Sequence, residues 1–338
     1  MSFKNQTKNQ HFFSRVEQRL NAINLNSKKD SMKINSFLLL DRDDFKVELE
    51  SINGNKISSN LAYIDLFSFD FLDNGIRHNF EEAFGKYEEK ILESTLTFIN
   101  KIESNSNDIL NELNDVLAMK FLNFIRNPFN IEKVLNTFGA LADYYPLNSK
   151  LRAEYDKIEK RNDKGVDRIC QLFDVEKHQY FRWMRVIFLI LMDSENNGRN
   201  MLDDIIYQFI TDKKQATAVW VYKFTDENAD KKVCLSDRSF VDLADPENGS
   251  LVMAFNLTAN CFIKLAMLDV RTILEKNQER PDTVENLMAT LESIPKNIEI
   301  RLLTNGEYAI EALAHYNRTA ILQCHTKVYC ASSNIYGL

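Results

Sequence analysis

Several side chains of this sequence combine types that move protons with types that hold anions, at positions where local structure gives little reason for them. His11, in Gln10-His11-Phe12-Phe13, sets a titratable ring beside aromatics, and an imidazole can give or take a proton near neutral pH. Arg126 ends the apolar helical run Phe124-Ile125-Arg126-Asn127-Pro128, where a guanidinium can cap the last carbonyls or reach a pocket and neutralise developing charge. Asp237 ends the strand-like Leu235-Ser236-Asp237-Arg238 with a carboxylate, and Asn317 closes the helical run Ala314-His315-Tyr316-Asn317-Arg318. His11, Arg126, Asp237 and Asn317 therefore form the candidate catalytic cluster. Glu81 joins Asp237 as a pair of carboxylates that could hold a water or a divalent metal, Mg²⁺ or Mn²⁺. Each residue also has an ordinary role open to it: core histidine, helix C-cap, turn-forming Ser-Asp, helix-end Asn.

Other arrangements carry less. Arg318 and His325, with six residues between them, match the Arg-x(4–6)-His spacing of helical ribonucleases that work without metal. There His acts as general base and Arg stabilises the phosphorane. Asp73 with Glu88-Glu89-Lys90 mimics the Asp and Glu-x-Lys of restriction-type nucleases, but Glu88 and Lys90 fall in a helical pattern that reads as a solvated face. The chain has no Gly-x-x-x-x-Gly-Lys-Ser/Thr loop, no Gly-x-Gly-x-x-Gly, no His-Glu-x-x-His and no Gly-x-Ser-x-Gly, which argues against the chemistries those motifs carry. Tyr144-Tyr145 and Tyr180-Phe181-Arg182-Trp183 could stack bases, although helical spacing beside Val186, Phe188 and Leu189 favours core packing.

The same stretches resemble the uncharacterised, mainly bacterial domain-of-unknown-function family 4238. Gln10-His11-Phe12 matches its opening Gln-His-aromatic segment, and Asn60-Leu61-Ala62-Tyr63 its Asn-Leu-Tyr-type stretch. Glu81-Glu82 with Glu88-Glu89 look like its helix of paired acidic residues, and Arg126-Asn127-Pro128 like its Arg-x-Pro helix end. Ser236-Asp237-Arg238-Ser239 stands where the family has Ser-Asp-Asn-Pro, and a helix with Asn317 and the strand Val328-Tyr329-Cys330-Ala331-Ser332 complete the pattern. Two departures are plain: Ser14-Arg15 replaces the Pro usual after the His, and Arg238-Ser239 replaces Asn-Pro. The resemblance implies candidate positions and a bacterial setting, with no established reaction.

The elements that must position these groups read as an α+β chain. Residues 34–40 and 45–49 alternate as strands, and Asn53-Gly54-Asn55 before Lys56-Ile57-Ser58 predicts a hairpin. From Phe80 the period becomes helical. Asn107 or Asp108 caps a helix through Leu110, Leu113, Leu117 and Phe121 that stops before Pro128, and further helices follow at 130–142, 149–172, 178–192 and 199–212. Strands are expected at 217–222, 232–235, 250–255, 261–267 and 326–331, with a turn at Asp245-Pro246-Glu247-Asn248-Gly249 and helices near 283–293 and 306–318. The long helical middle is thus flanked by N-terminal strands and a C-terminal mixed α/β portion.

Residues 1–35 carry seven Lys/Arg against two acidic residues, a net +5 in a chain of net −7. They read as a basic N-terminal arm, either a solvated terminus or a phosphate-binding tail, on a single α+β domain over 36–338. That domain subdivides near 214 into helical 78–212 and mixed α/β 215–338. Its 338 residues and 44% hydrophobic content suffice for a large core; 9 Gly and 5 Pro exclude collagen-like and Gly-turn-rich architectures. Five scattered cysteines, no Cys-x-x-Cys, no apolar leader and an apolar run of only seven residues, Val186 to Met192, point to reduced thiols, a cytoplasmic location and no membrane span. Two functions follow as expectations. The first is an interaction or sensing protein, in antiphage defence or a mobile element, with a protein partner or a second copy of itself, as the abundance of Phe, Tyr and Met and the resemblance suggest. The second is a phosphodiester-cleaving nuclease built on the His/Asp/Glu/Arg cluster, drawing nucleic acid in through the basic arm.

Overall fold

The computed structural model describes residues 3–72, 75–106, 108–161, 164–192, 199–212, 215–243, 251–269 and 298–338. Asp73, Asn107, the turn at 245–249 and the helix expected near 283–293 lie outside these described residues. The α+β reading holds, with helices over the middle of the chain and strands to either side.

The N-terminal residues are woven into the body rather than projecting as an arm. β1 (Lys4–Asn5) and β2 (Asn9–His11) pair antiparallel with later strands, Lys4 opposite His78 and His11 opposite Ala62. Phe3 stacks on Phe188 at 5.2 Å and Phe12 meets Phe129 edge-on at 5.6 Å. Apolar anchors of this kind at positions 3, 12 and 13 give the segment the burial energy that a tail lacks. α1 (Arg15–Arg19) follows, with Ser14 as its N-cap.

β3 (Lys33–Asp41) and β4 (Lys46–Leu49) form the expected pair, with a register shift between Leu39 and Asp41, but the residues about Gly54 turn between β4 and the next strand instead of joining the two in a hairpin. β5 (Asn55–Lys56) pairs with the start of the same β3, so the chain passes along one edge of β3 twice. Gly54 has φ +65, and a side chain there would press on the Ile34 carbonyl at 3.1 Å. β6 (Ala62–Ile64), β7 (Asp70–Phe71) and β8 (Arg77–His78) complete the N-terminal strands.

The helical layer consists of α2 (Glu81–Glu88), α3 (Ile91–Glu103), α4 (Leu110–Ile125), α5 (Ile131–Phe138), α6 (Ser149–Tyr155), α7 (Lys164–Phe173), α8 (Lys177–Leu191) and α9 (Met201–Thr211). The run expected at 149–172 is broken. Arg161 leaves the helical path to donate to the carbonyls of Asp65 and Ser68 and to the Tyr180 hydroxyl. Val186 to Leu191 is a buried part of α8, and no helix among the described residues is long and apolar enough to cross a membrane.

The C-terminal portion builds a sheet from β9 (Gln215–Lys223), β10 (Leu235–Ser236), β11 (Val241–Asp242), β12 (Leu251–Thr258), β13 (Cys261–Asp269) and β14 (Ile298–Thr304), β10 excepted. Its order is β11-β12-β13-β9-β14, with β14 parallel to β9. α10 (Glu307–Gln323) and β15 (Lys327–Cys330) close the chain, and β10-β15-β3-β4 form a second sheet. The central sheet is buried on both faces. Val219, Val221, Ile263 and Leu265 pack toward the helical layer, while the alternate residues Tyr222 and Phe262 stack at 4.4 Å and meet Tyr316 of α10. Most of the aromatic abundance is spent here and in the helical core: Phe13, Phe67, Phe80, Phe98, Tyr155, Tyr180 and Trp183 are fully buried, whereas Tyr144 and Tyr145 are exposed.

One buried polar network joins these layers. Glu17 of α1 takes hydrogen bonds from Lys120 and Asn123 of α4, and all three are at most 2% exposed. Lys120 also donates to the Asn256 carbonyl of β12 at 2.6 Å, and the Asn256 amide exchanges 2.8 Å bonds with Asn21. A buried ion pair whose remaining donors are all satisfied holds its members in one arrangement, and losing one member strands a charge. Lys120→Met or Glu17→Gln is expected to cost about 3–5 kcal/mol in urea unfolding, while the double replacement Glu17→Leu with Lys120→Met recovers most of it. Single variants within about 1 kcal/mol of wild type would show that the pair does not tie α1 to α4.

Candidate functional site

The Glu17 network sets the position of Arg126. Asn123, held by Glu17, accepts from Arg126 Nη2 at 3.0 Å and from the Ser14 backbone N–H at 3.4 Å. The same Nη2 donates to Glu88 at 2.7 Å, and the guanidinium lies 4.8 Å from the Phe84 ring centre. Arg126 is 1% exposed, and its Nε has no partner among the described residues. Buried cations of this kind are costly unless something answers them, so the unanswered N–H is a cost that the rest of the fold sustains.

Glu81 and Glu88 open and close α2, seven residues apart and hence on one side of the helix. The Asn79 side chain takes the Glu81 N–H at 3.1 Å and starts the helix. Glu81 keeps part of its surface open, while its Oε1 is enclosed and unpartnered. Burial, helped by the nearby Glu88 charge, pushes its carboxyl up to about 7 against the pull of Arg126 and Arg15.

His11 approaches from β2. Gln10 locks the segment through its side-chain bonds to the Phe67 N–H and to Ser68. The His11 ring donates to the Ile57 backbone, which leaves Nε2 buried and without a partner. Burial and the positive charges of Arg15, Arg126 and Arg19 hold its pKa down to about 4, so the ring is neutral at ordinary pH. His11 and Glu81 thus share the field of Arg126 and Arg15. Arg15 is exposed and Arg19 half-buried on α1, above this floor.

The other two members of the predicted catalytic cluster are placed elsewhere and saturated. Both carboxylate oxygens of Asp237 are used: the N–H of His325 (2.7 Å) binds one, and those of Thr326 (2.7 Å) and Lys327 (2.9 Å) bind the other. Burial pushes this carboxyl up, and the three N–H donors oppose the shift. Asp237 therefore staples the turn after β10 to the start of β15. Ser239 in that turn has φ 74, which proline cannot adopt, so Arg238-Ser239 makes a turn that Asn-Pro could not. Asn317 accepts from the Cys234 N–H and donates to the carbonyls of Lys232 and Tyr336, so both its donors and its oxygen are engaged.

With Asp237 occupied, Glu81 and Asp237 do not make a metal pair, and no group of three or more His, Cys, Asp or Glu among the described residues could hold a metal ion. The Arg318 and His325 pair is also not assembled. His325 stacks on Phe129 at 4.3 Å and is bordered by Asp237, Arg238 and Arg42, while Arg318 Nε donates to the Gly337 carbonyl. Glu88-Glu89 belong to α2 and its cap, not to a strand. The residues that sequence reasoning missed are Arg15, Arg19, Glu17 and Asn123. The first two stood in the sequence as anonymous members of a basic segment, and their role depends on α1 being tied to α4 through Glu17. No family model, curated protein or solved structure matches the chain.

The opposite shifts of His11 and Glu81 have a thermodynamic signature. Unfolded His11, at 6.5, binds a proton that the folded ring refuses until about pH 4, so its contribution to stability is lost as pH falls through that window. Folded Glu81 keeps a proton up to about 7 that the unfolded side chain releases at 4.5, so its contribution is lost as pH rises. Between these limits the two slopes oppose each other. Relative to wild type, Glu81→Gln should gain about 3 kcal/mol of stability as pH rises from 4.5 to 7, and His11→Asn should lose about 3 kcal/mol as pH rises from 4 to 6.5. Unfolding curves for both variants that run parallel to wild type across this range would contradict the assignment.

Proposed function

We propose that the protein is a phosphodiester hydrolase that works by acid–base chemistry at His11, Glu81 and Arg126. The observation that carries the reading is that two buried, unpartnered groups, the His11 Nε2 and a Glu81 carboxyl that holds its proton to about pH 7, lie under the charge of the same Arg126 and Arg15. Unsatisfied buried polar atoms are costly to a fold, and a set comprising an acceptor, a donor and cations suits a reacting anion better than packing does.

In this mechanism a water lies against His11 Nε2, which takes its proton as the oxygen attacks phosphorus. The Glu81 carboxyl gives its proton to the departing ester oxygen. Arg126, with Arg15 and Arg19, neutralises the charge gathering on the phosphorane oxygens. The imidazolium then returns its proton through solvent and Glu81 regains one. Burial keeps His11 neutral with help from the arginines, and the arginine share is offset when the substrate anion arrives, which raises the basicity of the ring at the step that needs it.

A second role, binding of a protein partner, drew on the many aromatic residues; most of these are buried in the core, so the site is the stronger support.

The test is cleavage of labelled single- and double-stranded DNA and RNA and of bis(p-nitrophenyl) phosphate, with EDTA, Mg²⁺ or Mn²⁺. Activity in EDTA is expected to follow a bell between about pH 4 and 7, because His11 must be neutral and Glu81 protonated. His11→Asn and Glu81→Gln should each lower kcat/KM by roughly 10²–10⁴-fold. Cleavage that survives both substitutions, or no cleavage of any substrate by wild type, would sink the proposal.

A further inference from the structure

A cleft of about 490 Å³ opens between α1 and the α2–α3 corner, directly beside the cluster. Its aliphatic wall comes from Val16, Leu20, Leu25, Met32 and Leu92, with the charged Lys29 and Glu89 also lining it, and it shares two further charged residues with the site, Arg19 and Glu88. Glu88 is the carboxylate bonded to Arg126, and its charge also bears on Arg19, so cleft and cluster meet along the line Arg19–Glu88–Arg126. Arg19 Nε is buried without a partner, and burial together with the neighbouring Arg15 lowers the pKa of its guanidinium. A space of roughly 300–1,000 Å³ with apolar walls and a few converging polar groups has the usual make-up of a small-molecule pocket.

Gly85 supplies an independent observation. It lies inside α2 with ordinary helical geometry, where glycine is the poorest helix former apart from proline. A Cβ built there meets nothing within 4 Å, so no neighbouring backbone or side chain requires its absence. The residue lines the cleft. A glycine that weakens its helix and makes room only for open space keeps that space clear for something that enters.

We propose that this cleft holds the apolar organic group of the ester whose phosphoryl group reaches His11, Glu81 and Arg126, so that the substrate class is a phosphate ester bearing a compact apolar body. This rests on the reading of the cluster as a phosphodiester hydrolase. Arg19 bridges the two halves, its guanidinium toward the anion and its stem along the aliphatic wall. The aliphatic lining accommodates a hydrocarbon chain or the flat face of a nucleoside, and the two sources are separated by experiment.

Binding is measured apart from turnover, on the full chain. Calorimetry compares inorganic phosphate, n-hexyl phosphate and thymidine 5′-monophosphate on wild type, Gly85→Leu and Gly85→Ala. The larger of the two organic phosphate affinities should exceed that of inorganic phosphate by about tenfold or more. Preference for the hexyl ester assigns an aliphatic group, and preference for the thymidine ester a nucleoside. Gly85→Leu should abolish the preference while raising Tm by about 2 °C, since a better helix former fills empty space. Gly85→Ala should raise Tm and weaken the preference if the leucine is too large to fold. Equal binding of all three by wild type, or a preference untouched in both variants, overturns the proposal. Hydrolysis of methyl and n-hexyl p-nitrophenyl phosphate keeps the two readings apart. Equal kcat/KM for both esters overturns the pocket and leaves the hydrolase, while a binding preference lost in Gly85→Leu without hydrolysis of either ester leaves the pocket and overturns the hydrolase.

Discussion

The Glu17–Lys120 pair is the contact on which the site depends. It is nearly inaccessible to solvent, joins α1 to α4, and through Asn123 and Asn256 reaches Arg126 on one side and the central sheet on the other. Two opposite charges taken out of water gain little net energy over an apolar pair of the same shape. What they gain is definition. An apolar contact between α1 and α4 would tolerate sliding, whereas a carboxylate that must receive both a lysine and an amide has one acceptable position. That position brings the charges of Arg15, Arg19 and Arg126 to bear on His11.

The site itself is costly to the fold. His11, Arg126, Arg19 and Glu81 each bury a polar atom without a partner, and the cations crowd one another. Such a deficit is sustained by good packing elsewhere. The rings of Phe3, Phe69, Phe80 and Phe188 interlock at 5.2–6.3 Å, and the doubly buried central sheet adds the stack of Tyr222, Phe262 and Tyr316. Unpartnered buried atoms also occur singly at Glu112, Arg185 and Arg238, but four of them, on His11, Arg19, Glu81 and Arg126, belong to this one cluster, whereas Asp237 and Asn317 are fully engaged in holding backbone.

Asp237 illustrates how a carboxylate at a strand end can look catalytic and be structural. Seen in sequence, an Asp after Leu-Ser has acceptor capacity to spare. In the fold, three successive N–H groups at residues 325–327, freed where α10 stops and before β15 begins pairing, converge on it. Those donors are left without a helix or strand partner there, and the carboxylate meets that need. Asn317 does the same for the chain ends at Lys232, Cys234 and Tyr336.

Much of the fold was legible in the residues because it follows from local periodicity. The α4 stripe, the buried run of α8 and the alternation of β9, β12 and β13 are properties of neighbours three, four or two apart, and their apolar faces have to be covered. His11, Glu81 and Arg126 were legible as candidates because their chemistry is rare in such surroundings. The placement of the N-terminal segment was not legible, since its +5 charge suggested solvent while Phe3, Phe12 and Phe13 anchor it in the core. The parallel edge strand β14, the turn at Gly54 and the break at Arg161 were likewise decided by distant partners: β9, β3 and the 65–68 carbonyls. The sequence by itself therefore determined which segments are helix or strand and which residues carry acid, base and cation. Only the tertiary structure decided which of them meet and which keep a free atom, because hydrogen-bond partners and burial are set by residues a hundred positions away.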